Sequence, residues 1–286
     1  MIEKMGFIRN KLAEYVWDLA IGHYDENIVS NGVDWTELKY IRNPYKKKWF
    51  ADPFILDENS ENIQLLVEEF DSDINKGRIA RITISKENYT IVDCTIILEL
   101  DTHLSFPVIY RIADDVYVHP ENSASGKSTI YRYDEQQDKL VEPVVLVNEP
   151  LVDAAIVRKE GAYFMYSTLL SQNSGPELHV FQSQSLTQPF IKCDVLDFGK
   201  RTARMAGALL ETSQGLIRPA QDCTHDYGEA VLFYSGMDLV GEIRPVSNGK
   251  YAGTHTFNIL NDTFVVDLKR YKYYYIRNLA NKFLKK

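Results

Sequence analysis

The chain has 286 residues, of which 45% are hydrophobic and 25% charged, and a net charge of −8. Such a composition excludes a disordered or collagen-like chain, and the acidic balance excludes a protein whose main work is gripping nucleic acid, because phosphate neutralisation needs a broad basic face. The three cysteines, Cys94, Cys193 and Cys223, lie far apart and show neither a disulfide framework nor a metal-ligand spacing.

Residues 7–21 place Phe7, Ile8, Leu12, Tyr15, Val16 and Leu19 at helical spacing, which predicts a short amphipathic helix packed on the rim of the body. Glu3, Lys4, Arg9, Lys11 and Glu14 interrupt the apolar residues here, so no secretory leader is read and the protein is expected in the cytoplasm. A polar lead-in ends at Lys46-Lys47-Lys48. Helix and lead-in together make a first segment, 1–44.

Over residues 45–267 the pattern becomes short strands separated by Gly, Asn and Asp turns, an all-β signature. Asp52-Pro53-Phe54-Ile55-Leu56 is echoed by Phe106-Pro107-Val108-Ile109-Tyr110, Asp153-Ala154-Ala155-Ile156-Val157 and Ala206-Gly207-Ala208-Leu209-Leu210, and faintly around His255-Thr256-Phe257. Starts about 50 residues apart are the period of a radial β array. The expected fold is a five-bladed β-propeller with short N- and C-terminal helices. The fifth blade, from Thr254 to Asp267, is short, so the N-terminal segment is available to lend a strand that closes the ring and removes exposed edges.

The tail, 268–286, holds seven Lys or Arg and no acid, interleaved with Tyr271, Tyr273, Tyr274, Tyr275, Ile276, Leu279, Phe283 and Leu284. A basic amphipathic helix of this kind can lie on an anionic membrane surface, which would make the protein peripheral at the inner membrane face. It can equally pack on the propeller with its basic residues solvated.

Residues that open the innermost strands of a propeller converge on its central funnel, so polar groups there are site candidates. Asp52 and Asp153 open blades one and three, Arg204 lies near the start of blade four and His255 near that of blade five, while His103 just precedes the blade-two strand. Second strands supply Glu68 or Glu69, only one of which can face the funnel, together with Glu121, Arg218, Gln221 and Asp222. Paired carboxylates facing one cleft are what glycosidic bond cleavage needs, one as acid and one as base or nucleophile. Arg, Gln and Asp suit sugar hydroxyls, and 18 tyrosines and 13 phenylalanines provide stacking surfaces beyond those filling the core.

The set Ala51-Asp52-Pro53-Phe54, His103-Leu104-Ser105-Phe106-Pro107, Pro120-Glu121-Asn122, Ala203-Arg204-Met205-Ala206-Gly207, Arg218-Pro219-Ala220-Gln221-Asp222-Cys223 and Tyr227-Gly228 resembles the N-terminal propeller domain of glucosamine inositolphosphorylceramide transferases. More distantly, the plan is similar to the five-bladed family-43 glycoside hydrolases. That resemblance implies Asp52 as general base and Asp153 as the orienting, pKa-tuning carboxylate. It departs at the opening of blade four, where those hydrolases present a glutamate and this chain has Arg204-Met205-Ala206-Gly207.

The expected function is therefore that of a carbohydrate-active enzyme in cell-surface polysaccharide or glycolipid metabolism, hydrolysing or transferring at a glycosidic bond. Asp52, Asp153 and Glu121 would be catalytic, with His103, Glu69, Arg204, Arg218, Gln221, Asp222 and His255 binding substrate. The partners expected are a carbohydrate or glycolipid substrate and other biosynthetic enzymes. No metal or cofactor is expected, since acid/base work by carboxylates requires none, and no Gly-rich loop between strand and helix marks a nucleotide-sugar fold. The alternative is a non-catalytic glycan-binding propeller.

Overall fold

The computed structural model describes residues 14–172, 174–245 and 250–272. Strands β1 (Tyr15–His23) and β2 (Lys39–Tyr40) precede a first complete blade of β3 (Lys48–Glu58), β4 (Asn62–Asp71), β5 (Lys76–Ser85) and β6 (Thr90–Leu98). Blade two comprises β7 (Ser105–Ile112), β8 (Asp115–Glu121), β9 (Ser128–Asp134) and β10 (Lys139–Val147). Blade three comprises β11 (Leu151–Lys159), β12 (Ala162–Leu169), β13 (Glu177–Ser183) and β14 (Ile191–Asp197). Blade four comprises β15 (Leu210–Thr212), β16 (Gly215–Asp222), β17 (Ala230–Ser235) and β18 (Asp238–Ile243). Finally β19 (Phe257–Leu260) and β20 (Thr263–Tyr271) join β1 and β2 in the order β19-β20-β1-β2. The five-bladed propeller is thus present, each blade a four-stranded antiparallel sheet with its first strand innermost.

The N-terminal segment closes the ring, but as a strand and not a helix. Tyr15–His23 pairs residue for residue with the whole of β20, from Tyr15↔Tyr271 to His23↔Thr263. Its aromatic and β-branched residues suit a strand, and Trp17, Leu19 and Ile21 alternate onto one buried face. The helical spacing was a local coincidence that a nine-residue ladder overrides, because an unpaired β20 would leave an open edge. The propeller accordingly begins at Tyr15, well before residue 45. The rest of the expected N-terminal helix, residues 7–13, lies outside the described residues.

The same pairing corrects the other end. Leu268–Tyr271 finishes β20, where Lys269 is buried and Arg270 pairs with Asp18 at 2.7 Å. Residues 273–286, the bulk of the expected basic helix, lie outside the described residues. Among the described residues no helix is long and apolar enough to cross a membrane. One helical turn, α1 (Ile28–Asn31), leans on β18.

Apolar layers fill the wedges between neighbouring blades. Leu19, Ile21, Phe50, Leu65 and Val67 fill the one between blades five and one, while Ile130, Leu151, Ile156, Met165 and Phe181 fill that between blades two and three. Between blades three and four, Leu178, Ala203 and Met205 pack with Phe198, and Ala220, Leu232 and Tyr234 continue the layer beside it. Arg218 fills the remaining space. Its guanidinium carbon lies 4.3 Å from the Phe198 ring centre and 4.8 Å from that of Tyr234, a buried cation–π sandwich.

Three successive inner strands carry the same bulge. Residues 52–53 face one residue of β4, 106–107 face one of β8, and 153–154 face one of β12. The first residue of each bulge has a left-handed backbone, with φ of 50° at Asp52, 46° at Phe106 and 48° at Asp153. A bulge re-aims a side chain that the regular pleat would hold across the sheet. Proline can follow at 53 and 107 because no ladder hydrogen bond is needed there.

Candidate functional site

The bulge at Asp52 sets its carboxylate at the base of a pocket of about 220 Å³. Asp52, Glu68, His103, Ser105, Glu121, Arg204 and Tyr227, with Ser123 and Ser174, supply the polar part of its lining. Larger depressions of about 580 and 590 Å³ lie away from this convergence, between the outer parts of blades.

Asp52 is 4% exposed and heavily bonded. Its Oδ1 accepts from the Thr256 hydroxyl at 2.8 Å and its Oδ2 from the Phe106 N–H at 3.1 Å, tying blade one to blades five and two. Burial pushes its carboxyl up to about 7; His255 pulls the other way, and Asp153, Glu68 and Asp267 add to the rise.

His255 stands beside it, Nε2 lying 3.7 Å from Asp52 Oδ1 and Nδ1 bonded to Asp267 Oδ2 at 2.6 Å. Asp267 also accepts the backbone N–H groups of His255, Thr256 and Asp52, so one buried carboxylate substitutes for ladder bonds where β19 has not yet begun. Burial by itself would lower the His255 pKa, but Asp267 and Asp52 outweigh it and raise it. The outcome is a buried imidazole bonded to one carboxylate, Asp267, and within ion-pair distance of a second, Asp52. Asp52, His255 and Asp267 also hold ligand atoms within 4.8 Å of one another, close enough for a metal ion. The carboxylate oxygens of Asp52 and Asp267 already accept the hydrogen bonds just given.

Across the pocket, Glu68 Oε1 meets His103 Nε2 at 3.1 Å. His103 Nδ1 accepts the Gly77 N–H at 3.0 Å, which presents Nε2–H to the carboxylate. Burial raises the Glu68 pKa, against its hydrogen bond from His103. Burial would lower that of His103, yet the Glu68 bond raises it, and a second ring proton at Nδ1 would displace the Gly77 bond. Gly77 has no substitute, because a Cβ there would sit 2.6 Å from both His103 Cε1 and the Leu104 carbonyl. Glu121 faces the same space, accepting from the Ser105 hydroxyl at 2.9 Å and from the Ser123 N–H at 2.8 Å.

Asp153 occupies the blade-three equivalent of Asp52 but is covered. Arg204 Nε binds its Oδ2 at 2.5 Å, and Gln221 Nε2 donates to the same oxygen at 2.7 Å. The guanidinium then reaches Ser174 Oγ at 3.2 Å and the Tyr227 hydroxyl at 3.5 Å. So Asp153 and Gln221 position Arg204, and Arg204 is what the pocket sees.

Three expected binding residues are elsewhere. Glu69 is fully buried, 2.5 Å from Lys48 and doubly hydrogen-bonded to Arg78, its cross-strand partner; its neighbour Glu68 is the one facing the pocket. Arg218 lies in the sandwich described above, donating to the Ala203 and Thr202 carbonyls, and burial lowers its pKa to about 10. Asp222 pairs with Arg244 at 2.9 Å at the side of blade four. The sequence reading missed Asp267 and Tyr227. Tyr227 carried a signal, standing beside Gly228 in one of the motifs quoted above; Asp267 read simply as the polar end of a strand.

Residues 29–242 match the family described as glucosamine inositolphosphorylceramide transferase 1, N-terminal. The chain belongs to that family. Over 205 residues it is 24% identical to glucosamine inositolphosphorylceramide transferase 1 of Oryza sativa subsp. japonica, covering 69% of this chain and 27% of that protein. The Arabidopsis thaliana protein of the same name is 27% identical over 204 residues, covering 68% and 26% respectively. This chain therefore spans about a quarter of the length of these relatives. Among solved structures, an α-L-arabinofuranosidase from Podospora anserina in complex with cellotriose is similar in fold, with a TM-score of 0.58 at 9% identity over 78% of this chain and 81% of that one. A thermostable family-43 glycoside hydrolase gives a TM-score of 0.50 at 14% identity over 76% and 84%. Of the site residues, His255 and Asp267 lie beyond the residues that match the family.

Proposed function

We propose that the funnel holds one glycosyl unit of a carbohydrate or glycolipid and acts at its glycosidic bond, by hydrolysis or transfer. The observation that carries this reading is Asp52, a buried carboxyl raised to about 7 at the floor of a small polar pocket, with a second carboxylate, Glu121, on the adjacent blade. A carboxylate made more basic by burial suits a general base working near neutral pH. Glu121 takes the part of acid, and the Ser105 hydroxyl can reverse from donor to acceptor as that proton is gained or lost. Arg204, His103 and Tyr227 bind the sugar. The family and the fold support a glycosyl ligand.

The charge of the pocket narrows the sugar. Asp52, Asp267, Glu68, Glu121 and Asp153 face one arginine and two histidines. With Asp52 ionised as the base and Glu121 protonated as the acid, four carboxylates still face at most three cations, which favours an amino sugar over a uronate or sugar phosphate. Glucosamine, which the relatives' name carries, is such a sugar. The basic tail and the relatives' glycolipid name together support work at the inner membrane face, alongside other biosynthetic enzymes. A binding-only reading is favoured by one feature, Arg204, paired with Asp153 at the blade-four opening where the family-43 hydrolases present a glutamate.

Saturation-transfer NMR with glucosamine, glucose and glucuronate, together with a panel of aryl glycosides and nucleotide sugars, tests the proposal on wild type, Asp52→Asn and Glu121→Gln. Glucosamine binding with turnover lost in both variants is expected. Binding without turnover by wild type selects the lectin reading, and no binding of any sugar sinks both.

A further inference from the structure

The imidazole beside Asp52 has an aromatic neighbour on the closing strand. Trp17 of β1 stacks on the His255 imidazole with ring centres 3.9 Å apart and planes 13° from parallel. Both are buried, at 3% and 2% exposure. Tyr227 closes the group edge-on, its ring centre 5.3 Å from His255 and 6.4 Å from Trp17.

The arrangement is held from several sides. Trp17 sits opposite Lys269 in the β1–β20 ladder, and Lys269 lies two residues from Asp267, hence on the same face. Lys269 Nζ donates to the Tyr227 carbonyl at 2.7 Å and meets Asp226 at 3.0 Å, while the Tyr271 hydroxyl donates to the same Asp226 carboxylate at 2.7 Å. Gly228, at φ 62°, follows Tyr227; a Cβ there would lie 2.9 Å from His255 Cβ and 3.1 Å from Trp17 Cη2. Only glycine lets the blade-four loop press this closely on the pair.

We propose that Trp17 is a positioning residue for the funnel: its indole fixes the plane of His255, so that Nδ1 meets Asp267 while Nε2 faces Asp52, and it favours the imidazolium form through its π face. Ring closure and site chemistry are thereby joined in one strand, outside the residues that match the family. The charged and titratable groups facing His255 are Asp267 on β20, Asp52 on β3, Asp153 on β11, Glu68 on β4 and Tyr227 on the blade-four loop. The carboxylates all favour the imidazolium, and the indole adds to them. The inference concerns the site of the proposed function, but it is read without any sugar.

The test is an NMR pH titration of the ring carbons of His255, assigned with His255→Gln. In Trp17→Leu the midpoint should fall by about one pH unit, and the Nδ1–H signal shared with Asp267 should be lost to exchange. Trp17→Phe, which keeps an aromatic face, should fall between. A midpoint unchanged in Trp17→Leu overturns the proposal. A second measurement leaves Trp17 in place, in case the leucine variant does not fold: in Trp35→Phe/Trp49→Phe the remaining indole fluorescence should be quenched as His255 gains its proton, with the same midpoint as by NMR. Fluorescence flat across that midpoint also overturns it. Failure of the glycosyl reading would appear as absent sugar binding and leave these titrations unchanged.

Discussion

Neutralising Asp52 should make the protein more stable, and increasingly so as the pH rises. The folded carboxyl sits at about 7 and the unfolded one near 3.8, so between those values the folded state holds the extra proton. Stability attributable to Asp52 is therefore lost as the pH climbs from about 4 to 7 and stays lost above, by about 4 kcal/mol in all. The Asp52→Asn substitution removes that loss. The new amide can still accept from the Thr256 hydroxyl or the Phe106 N–H and tolerates a φ of 50°, but it gives up the attraction of His255. The difference between Asp52→Asn and wild type should thus shift towards the variant by about 2–3 kcal/mol from pH 4.5 to pH 8.5. Urea unfolding followed by circular dichroism at four pH values measures it. A variant-minus-wild-type difference that does not change with pH refutes the reasoning, because it would mean Asp52 is ionised in the folded protein throughout.

Arg204→Met leaves the Asp153 carboxylate, 3% exposed, with Gln221 as its remaining side-chain donor, and should cost about 3–5 kcal/mol. Arg204→Met/Asp153→Asn should recover most of it in the same unfolding assay, whereas simple additivity would show that the pair is not coupled. Glu69→Gln should destabilise by about 3 kcal/mol through Lys48 and Arg78 while leaving sugar binding intact, and Glu68→Gln should do the reverse. Equal effects on stability and binding from both would remove the distinction between a structural and a pocket-facing glutamate.

Much of the propeller was legible because it repeats. An inner strand opening with Asp-Pro or Phe-Pro suits a bulge because proline lacks the ladder N–H, and the same left-handed residue recurs at Asp153 before an alanine. The period of about 50 residues is why Asp52 and Asp153 could be placed as equivalents, and Glu121 and His103 line the same pocket as Asp52. Where the sequence was ambiguous, the ambiguity was physical. Glu68 and Glu69 are adjacent in a strand, and which one turns to the pocket depends on register against β3 and on Arg78 lying opposite Glu69. Arg218 looked like a ligand clamp because nothing local reveals that Phe198 and Tyr234 close on its guanidinium from separate parts of the chain.

By itself, then, the sequence determined five blades and the inner strands of the first three, since periodicity and turn chemistry are local properties of the chain, whereas the blade-four strand expected at Ala206–Leu210 lies instead at Leu210–Thr212. Only the tertiary structure decided the role of Tyr15–His23, whose spacing suits a helix until β20, some 250 residues away, offers it a full ladder. It alone decided that Asp153 is held by an arginine while Asp52 is held by Thr256 and the Phe106 N–H beside a buried histidine. Those outcomes depend on which charges are brought together out of water, and burial and proximity across blades have no signature in the order of residues along a strand.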